Sequence, residues 1–298
     1  MEEEESPVTD REKLDLSHVK QLISQLGPKP IVSQRGFFSQ QQLPVDIQNP
    51  IPQQPSQQPV SDQSIVQVSN EALNKSTHRI PSGIPGFDEL VGGGFIPNSI
   101  VLVSGEAGTG KTLFCTQFIW NALCMGENGV YITLQQSAED IRRDVAQFGR
   151  DFSRAEKLGQ CRIIFVEPQN MKDIVNAIIR NVKAVKAKRL AIDSITMICE
   201  YAEKRKDIRY NLSKLFEEIK KMGVTTLAIS EVEEGSNSIS RFGIEEFLVD
   251  GVVVLKCGVD VGLGGKPRSL YVKKLRRTSH DMNIHPFDIS ERGIKVIS

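Results

Sequence analysis

From the vicinity of His78 to Ser298 the apolar residues switch repeatedly between two spacings, and the switches mark out the elements. Short apolar runs at Ser99–Ser104, Gly129–Leu134, Cys161–Val166, Leu190–Asp193 and Val224–Ser230 have the length of buried strands. Between them lie helical patterns at Lys111–Met125, where Leu113, Phe114, Phe118, Ile119 and Leu123 recur on one face, and at Ala138–Phe148, Met171–Val185 and Asp207–Lys221. Strands alternating with helices of this length predict an α/β fold with a mostly parallel sheet and helices on both faces. After Ser230 the pattern changes. Asp250–Cys257, Arg268–Leu275, Ile284–Ile289 and Gly293–Ile297 read as successive strands joined by Gly-rich or charged connections, including Gly262–Pro267, which predicts hairpins extending the sheet at one edge. About 220 residues of this kind suffice for the core of a single domain.

The N-terminal part has no such periodicity. Glu2 to Glu5 form an acidic cluster, and Gln40 to Gln67 is dominated by Gln, Pro and Ser, with few large apolar groups to offset the entropy of ordering. Residues 1–75 are therefore expected to be a mostly disordered tail. One stretch differs: Leu14, Leu16, Val19, Leu22, Ile23 and Leu26 recur at helical intervals before Gly27. This short helix at 14–26 either engages a protein partner or folds back on its own domain, since alone it would be marginal in water.

Charge and composition narrow the setting. The 37 basic and 37 acidic residues cancel, so no global field draws the chain to nucleic acid or an anionic membrane. The apolar runs are too short to span a bilayer, and the acidic start does not resemble a signal peptide, so a cytoplasmic protein is expected. Cys115, Cys124, Cys161, Cys199 and Cys257 include no C-x-x-C pair and are expected to be reduced core residues.

The chemistry concentrates at Gly105-Glu106-Ala107-Gly108-Thr109-Gly110-Lys111-Thr112, a complete G-x-x-x-x-G-K-[ST] phosphate-binding loop between a strand and a helix. Its glycines let backbone N–H groups turn toward phosphates, Lys111 supplies a cation, and the Thr112 hydroxyl suits Mg²⁺. ATP and Mg²⁺ are the implied ligands. Asp193, at the end of an apolar strand, is the candidate second metal group, because ligands in such folds gather at the carboxyl ends of the strands.

Three blocks in order resemble the KaiC-like branch of the RecA superfamily: Ile80–Phe95 before the phosphate loop, Ile192-Asp193-Ser194, and Lys274-Leu275-Arg276-Arg277-Thr278-Ser279-His280. The resemblance covers about Thr77 to Ser298 and implies a single RecA-like, KaiC-type ATP-binding domain at 76–298. It also implies a homo-oligomeric ring, usually hexameric, with ATP between subunits. In that arrangement Lys274 and Arg276 would meet the γ-phosphate of the neighbouring subunit, with Thr278 and His280 near its nucleotide.

Two departures from that pattern bear on activity. Hydrolysing relatives carry a Glu pair at the end of the second strand, where this chain has Gln135 and Gln136. An amide can orient water but cannot take its proton, and losing a general base removes about 10²- to 10⁴-fold in rate. Glu139, one helical turn on, is the weak candidate to replace it. ATP binding with weak or absent hydrolysis is thus expected. Self-phosphorylation is not expected, because Glu246 and Phe247 stand where the self-phosphorylating half of the clock protein has Ser and Thr.

The leading expectation is a nucleotide-dependent regulator or scaffold. The alternative is a RecA- or RadA-like recombinase paralogue binding DNA with ATP. Against it, Glu231, Glu233 and Glu234 open the Glu231–Arg241 loop and would repel phosphates. Basic residues at Lys183, Lys186, Lys188 and Arg189, and at Lys204, Arg205 and Lys206, are read as solvated helix ends.

Overall fold

The computed structural model describes residues 78–167, 170–200, 204–258 and 267–297. The tail at 1–75, its helix at 14–26 and the Gly262–Lys266 part of the glycine-rich connection lie outside the described residues.

The elements run α1 (Phe87–Leu90), β1 (Ile100–Gly105), α2 (Lys111–Cys124), β2 (Gly129–Thr133), α3 (Ala138–Ala146), α4 (Phe152–Lys157), β3 (Cys161–Phe165), α5 (Met171–Val185) and β4 (Arg189–Asp193). They continue with α6 (Ile195–Glu200), α7 (Arg205–Lys221), β5 (Thr225–Glu231), α8 (Glu245–Leu248), β6 (Gly251–Cys257), β7 (Arg268–Leu275), β8 (His285–Ser290) and β9 (Gly293–Val296). The short helices α1, α4, α6 and α8, with four or six residues each, carry too few turns to leave a periodic signature and are not foreseen by the apolar pattern.

One nine-stranded sheet holds these elements in the order β3-β2-β4-β5-β1-β6-β7-β8-β9. The pairings from β3 to β6 are parallel and those from β6 to β9 antiparallel, as the change of sequence pattern after Ser230 predicts. Because side chains alternate along a strand, each central strand feeds two cores. Val101 and Val103 of β1 enter one with α2, while Ile100 and Leu102 enter the other with α5 and α7.

The segment before β1 is fastened beneath α2. Ile80 and Phe95 exchange backbone hydrogen bonds, and Phe87 and Phe95 pack with Phe114 and Phe118 at ring separations of 5.3 to 5.8 Å. Arg189 locks this arrangement. Contrary to its reading as a solvated basic residue, it is fully buried at the start of β4. Its guanidinium pairs with Glu127 at 2.9 Å, donates to the carbonyls of Pro81 and Phe118 at 2.7 and 3.2 Å, and stacks 4.9 Å above the Phe118 ring. Such a planar fork serves two backbone carbonyls and a carboxylate while lying over a ring face, a combination that the point charge of a lysine does not reproduce.

The five cysteines are free. Cys115, Cys161 and Cys199 are buried as expected, but Cys124 at the end of α2 is exposed and Cys257 partly so. Among the described residues no helix is long and apolar enough to cross a membrane.

Candidate functional site

The carboxyl ends of β1, β2, β4 and β5 converge on a cleft of about 390 Å³ lined by the phosphate loop, Thr133, Gln135, Gln136, Asp193 and Glu231, with Asp144, Val145 and Phe148 of α3 beyond. Its floor is the loop between β1 and α2. Gly108 and Gly110 adopt φ of +73° and +98°, a conformation costly for any residue with a Cβ. A Cβ at Gly105 would lie 2.5 Å from the Leu255 carbonyl oxygen and 2.8 Å from Thr109 Oγ1. Gly110 offers α2 no side-chain cap. The amides of the first turn are thus left for an anion, where the helix dipole also favours one.

The cation of the loop is held low. Lys111 is buried and donates to the Glu106 carbonyl at 2.8 Å, beside Thr109 Oγ1, which donates to the same carbonyl at 2.8 Å. Burial pushes the Lys111 ammonium below its usual pKa, against the pull of Glu231 and Asp193.

Asp193 stands where the sequence puts it, at the last position of β4. Its Oδ2 accepts from Thr112 Oγ1 at 2.8 Å and from the Tyr131 hydroxyl at 2.6 Å. Burial raises its pKa, and the two hydrogen bonds oppose that rise. Tyr131, fully buried on β2, is a partner that the apolar pattern of β2 conceals. A hydroxyl and a carboxylate oxygen within one hydrogen bond are the hard donors that Mg²⁺ takes when most of its shell is water and phosphate. The residues fit the ion: Thr112 and Asp193 would hold it, and it would neutralise charge between the β- and γ-phosphates.

The rim is looser. Gln135 and Gln136 line the cleft, both exposed, in the turn between β2 and α3. Thr133 Oγ1 donates to the Gln136 carbonyl at 2.8 Å and thereby shapes this turn. Glu139 does not join them: it points outward from α3 and pairs with Arg142 at 3.3 Å. Ser137 caps α3 by accepting from the Asp140 amide at 3.1 Å.

The residue that sequence reasoning misplaced is Glu231. Read as the start of a loop, it is the last residue of β5, in register with Gly105, and it faces the phosphate loop. Its Oε2 accepts from Gln135 Nε2 at 3.1 Å. The signal was the one that singled out Asp193, an acid closing an apolar strand.

Lys274, Arg276, Thr278 and His280 line no part of their own chain's cleft. Lys274 donates to the carbonyls of Glu246 and Val249 at 3.1 and 2.7 Å, and burial lowers its pKa, with Arg276 adding to the effect. Arg276 lies 3.7 Å from Asp250, Thr278 accepts from Arg79 at 2.7 Å, and His280 Nδ1 is 3.2 Å from the Thr278 carbonyl.

A phosphate loop on a mostly parallel sheet, with a strand-end acid bound to the loop threonine, defines a P-loop ATPase domain of the RecA superfamily. Residues 80–298 match the family model described as "ATPase: KaiC", and the chain belongs to this family. A UPF0273 protein of Pyrococcus horikoshii is 34% identical over 74% of this chain and 94% of that protein. The circadian clock oscillator protein KaiC of Prochlorococcus marinus is 32% identical over 77% of this chain and 47% of its own length, so the chain spans about half of that relative. The crystal structure of a KaiC-like protein of P. horikoshii superposes with a TM-score of 0.69 at 43% identity, covering 74% of this chain and all of that one.

Proposed function

We propose that this protein is a ring-forming, nucleotide-dependent regulator or scaffold that holds Mg²⁺ and ATP between subunits and hydrolyses ATP slowly. The observation that carries the reading is the contrast within one cleft: buried Lys111 and Asp193 and the partly buried Thr112 form a floor suited to phosphate and metal, while the positions facing it from the turn after β2 are the amides Gln135 and Gln136. ATP bound at a subunit boundary strengthens assembly by mass action without being cleaved. In this reading Lys274 and Arg276 serve the neighbour's γ-phosphate, for which Lys274 must exchange its two carbonyl partners for phosphate oxygens, and Thr278 and His280 border the same nucleotide. The tail is the element offered to a protein partner, and the working compartment is the cytoplasm.

Light scattering of the full chain with and without Mg²⁺ and ATP tests assembly. A rise in mass with ATP that Lys111→Ala abolishes supports the reading, and an unchanged mass with ATP bound contradicts it. The recombinase alternative is less favoured because Glu233 and Glu234 follow Glu231 into the loop, with Arg241 paired to Glu233 at 2.9 Å. Salt-dependent binding of single-stranded DNA that strengthens with ATP would restore it.

A further inference from the structure

Glu231 lies outside the KaiC-type blocks that single out the other site residues, yet the fold sets its carboxylate beside the phosphate loop. β5 is the strand between β4 and β1, so its last residue falls between Asp193 and Gly105 at the mouth of the cleft. Two contacts fix its backbone: the Glu231 amide donates to Thr196 Oγ1 at 2.9 Å, and the next amide, Val232, donates to the Gly105 carbonyl at 3.1 Å. The other acids nearby are committed or differently placed. Asp193 is held by Thr112 and Tyr131, Glu106 accepts from the Gly235 amide at 3.0 Å, Asp144 sits beside Val145 and Phe148 of α3, and Glu139 faces outward. Glu231 instead touches the Gln135 amide, the group that stands where a catalytic carboxylate is missing.

We propose that Glu231 is the general base for the slow ATP hydrolysis of this chain and that Gln135 positions it, so that the base is supplied from β5 in place of β2. This rests on the reading of the cleft as an ATP site. Gln135 Nε2 donates to Glu231, leaving its carbonyl oxygen to accept from a water shared by the two side chains. Glu231 takes one proton from that water as the water oxygen bonds to the γ-phosphorus. The bond from that phosphorus to the β,γ-bridging oxygen breaks, its electron pair leaves on ADP, and the proton passes from Glu231 to the released phosphate or to solvent. The Glu231 carboxylate is held by one hydrogen bond from an exposed amide, so it is less well ordered than Asp193, which has two partners, and this accounts for slow turnover.

The test uses the full chain with Mg²⁺ and ATP. Glu231→Gln keeps the side-chain shape and the acceptor for Gln135 but cannot take a proton. It is expected to lower the phosphate-release rate by about a hundredfold while ATP affinity stays within about threefold. Glu231→Asp is expected to keep a measurable part of the rate. Gln135→Ala, which removes the contact from the other side, is expected to lower the rate about tenfold with the same ATP affinity. Calorimetry supplies a readout without turnover: ADP with aluminium fluoride, which mimics the transferring phosphoryl group, should bind Glu231→Gln at least about tenfold more weakly than wild type, with ADP alone unchanged. Phosphate release by Glu231→Gln at the wild-type rate overturns the assignment. So does a wild-type chain that binds ATP but releases no phosphate above the Lys111→Ala background. Failure of the wild-type chain to bind ATP at all would instead defeat the proposed function.

Discussion

The floor of the cleft and its rim are made of similar polar side chains, yet they differ in how many groups hold each functional atom. On the floor, Asp193 is buried and held by both Thr112 and Tyr131, and Lys111 is buried and donates to the Glu106 carbonyl. On the rim, Gln135 is exposed and holds Glu231 through a single contact at 3.1 Å, and the acid on the next turn faces away. Rigid groups bind without losing entropy when the ligand arrives, whereas catalysis needs the base in place at the moment of attack. In the function proposed above, a site so divided holds its nucleotide better than it cleaves it.

The comparison is broken most severely beneath the floor. Arg189 ties the start of β4 to α2 and to the segment at Pro81, and Arg189→Ala would leave Glu127 without its cation and take one donor from each of the Pro81 and Phe118 carbonyls. Loss of a buried charged partner costs about 3–5 kcal/mol, so urea unfolding should show that order of destabilisation, with ATP binding impaired as a consequence. On the floor itself, Lys111→Ala is expected to weaken ATP binding by about a hundredfold or more in calorimetry while the unfolding midpoint without nucleotide changes little. Tyr131→Phe removes one of the two hydrogen bonds to Asp193 and should cost about 1–2 kcal/mol in unfolding, along with a smaller loss of Mg²⁺-dependent ATP affinity than Lys111→Ala produces. At the rim the smallest effect belongs to Glu139→Gln: stability within about 0.5 kcal/mol of wild type and unchanged phosphate release, since the side chain is solvated and its ion pair with Arg142 is exposed.

How much of this was legible in the chain follows the same division. The central strands stand out as short apolar runs and the long helices by a sustained period, and the phosphate loop and Asp193 because their residue types suit a phosphate and its metal. Arg189 is misread because it follows Lys183, Lys186 and Lys188 in a basic run of the kind that lies in solvent, and only Glu127 and the carbonyls of Pro81 and Phe118, distant in sequence, explain its burial. Glu231 was missed by one residue of strand length: its side chain turns toward the loop only when it still belongs to β5 and pairs with Gly105. Strand ends are the least certain feature of a hydrophobic pattern, and in this fold they are where the chemistry sits.

The contrast between floor and rim is tested most directly by following phosphate release from the purified wild-type assembly saturated with Mg²⁺ and ATP, while light scattering reports its mass. The account predicts that ATP binds and the assembly persists long after mixing, with phosphate appearing slowly and only when Lys111 is intact. Turnover of several ATP per subunit each minute, lost in Lys111→Ala, would contradict it.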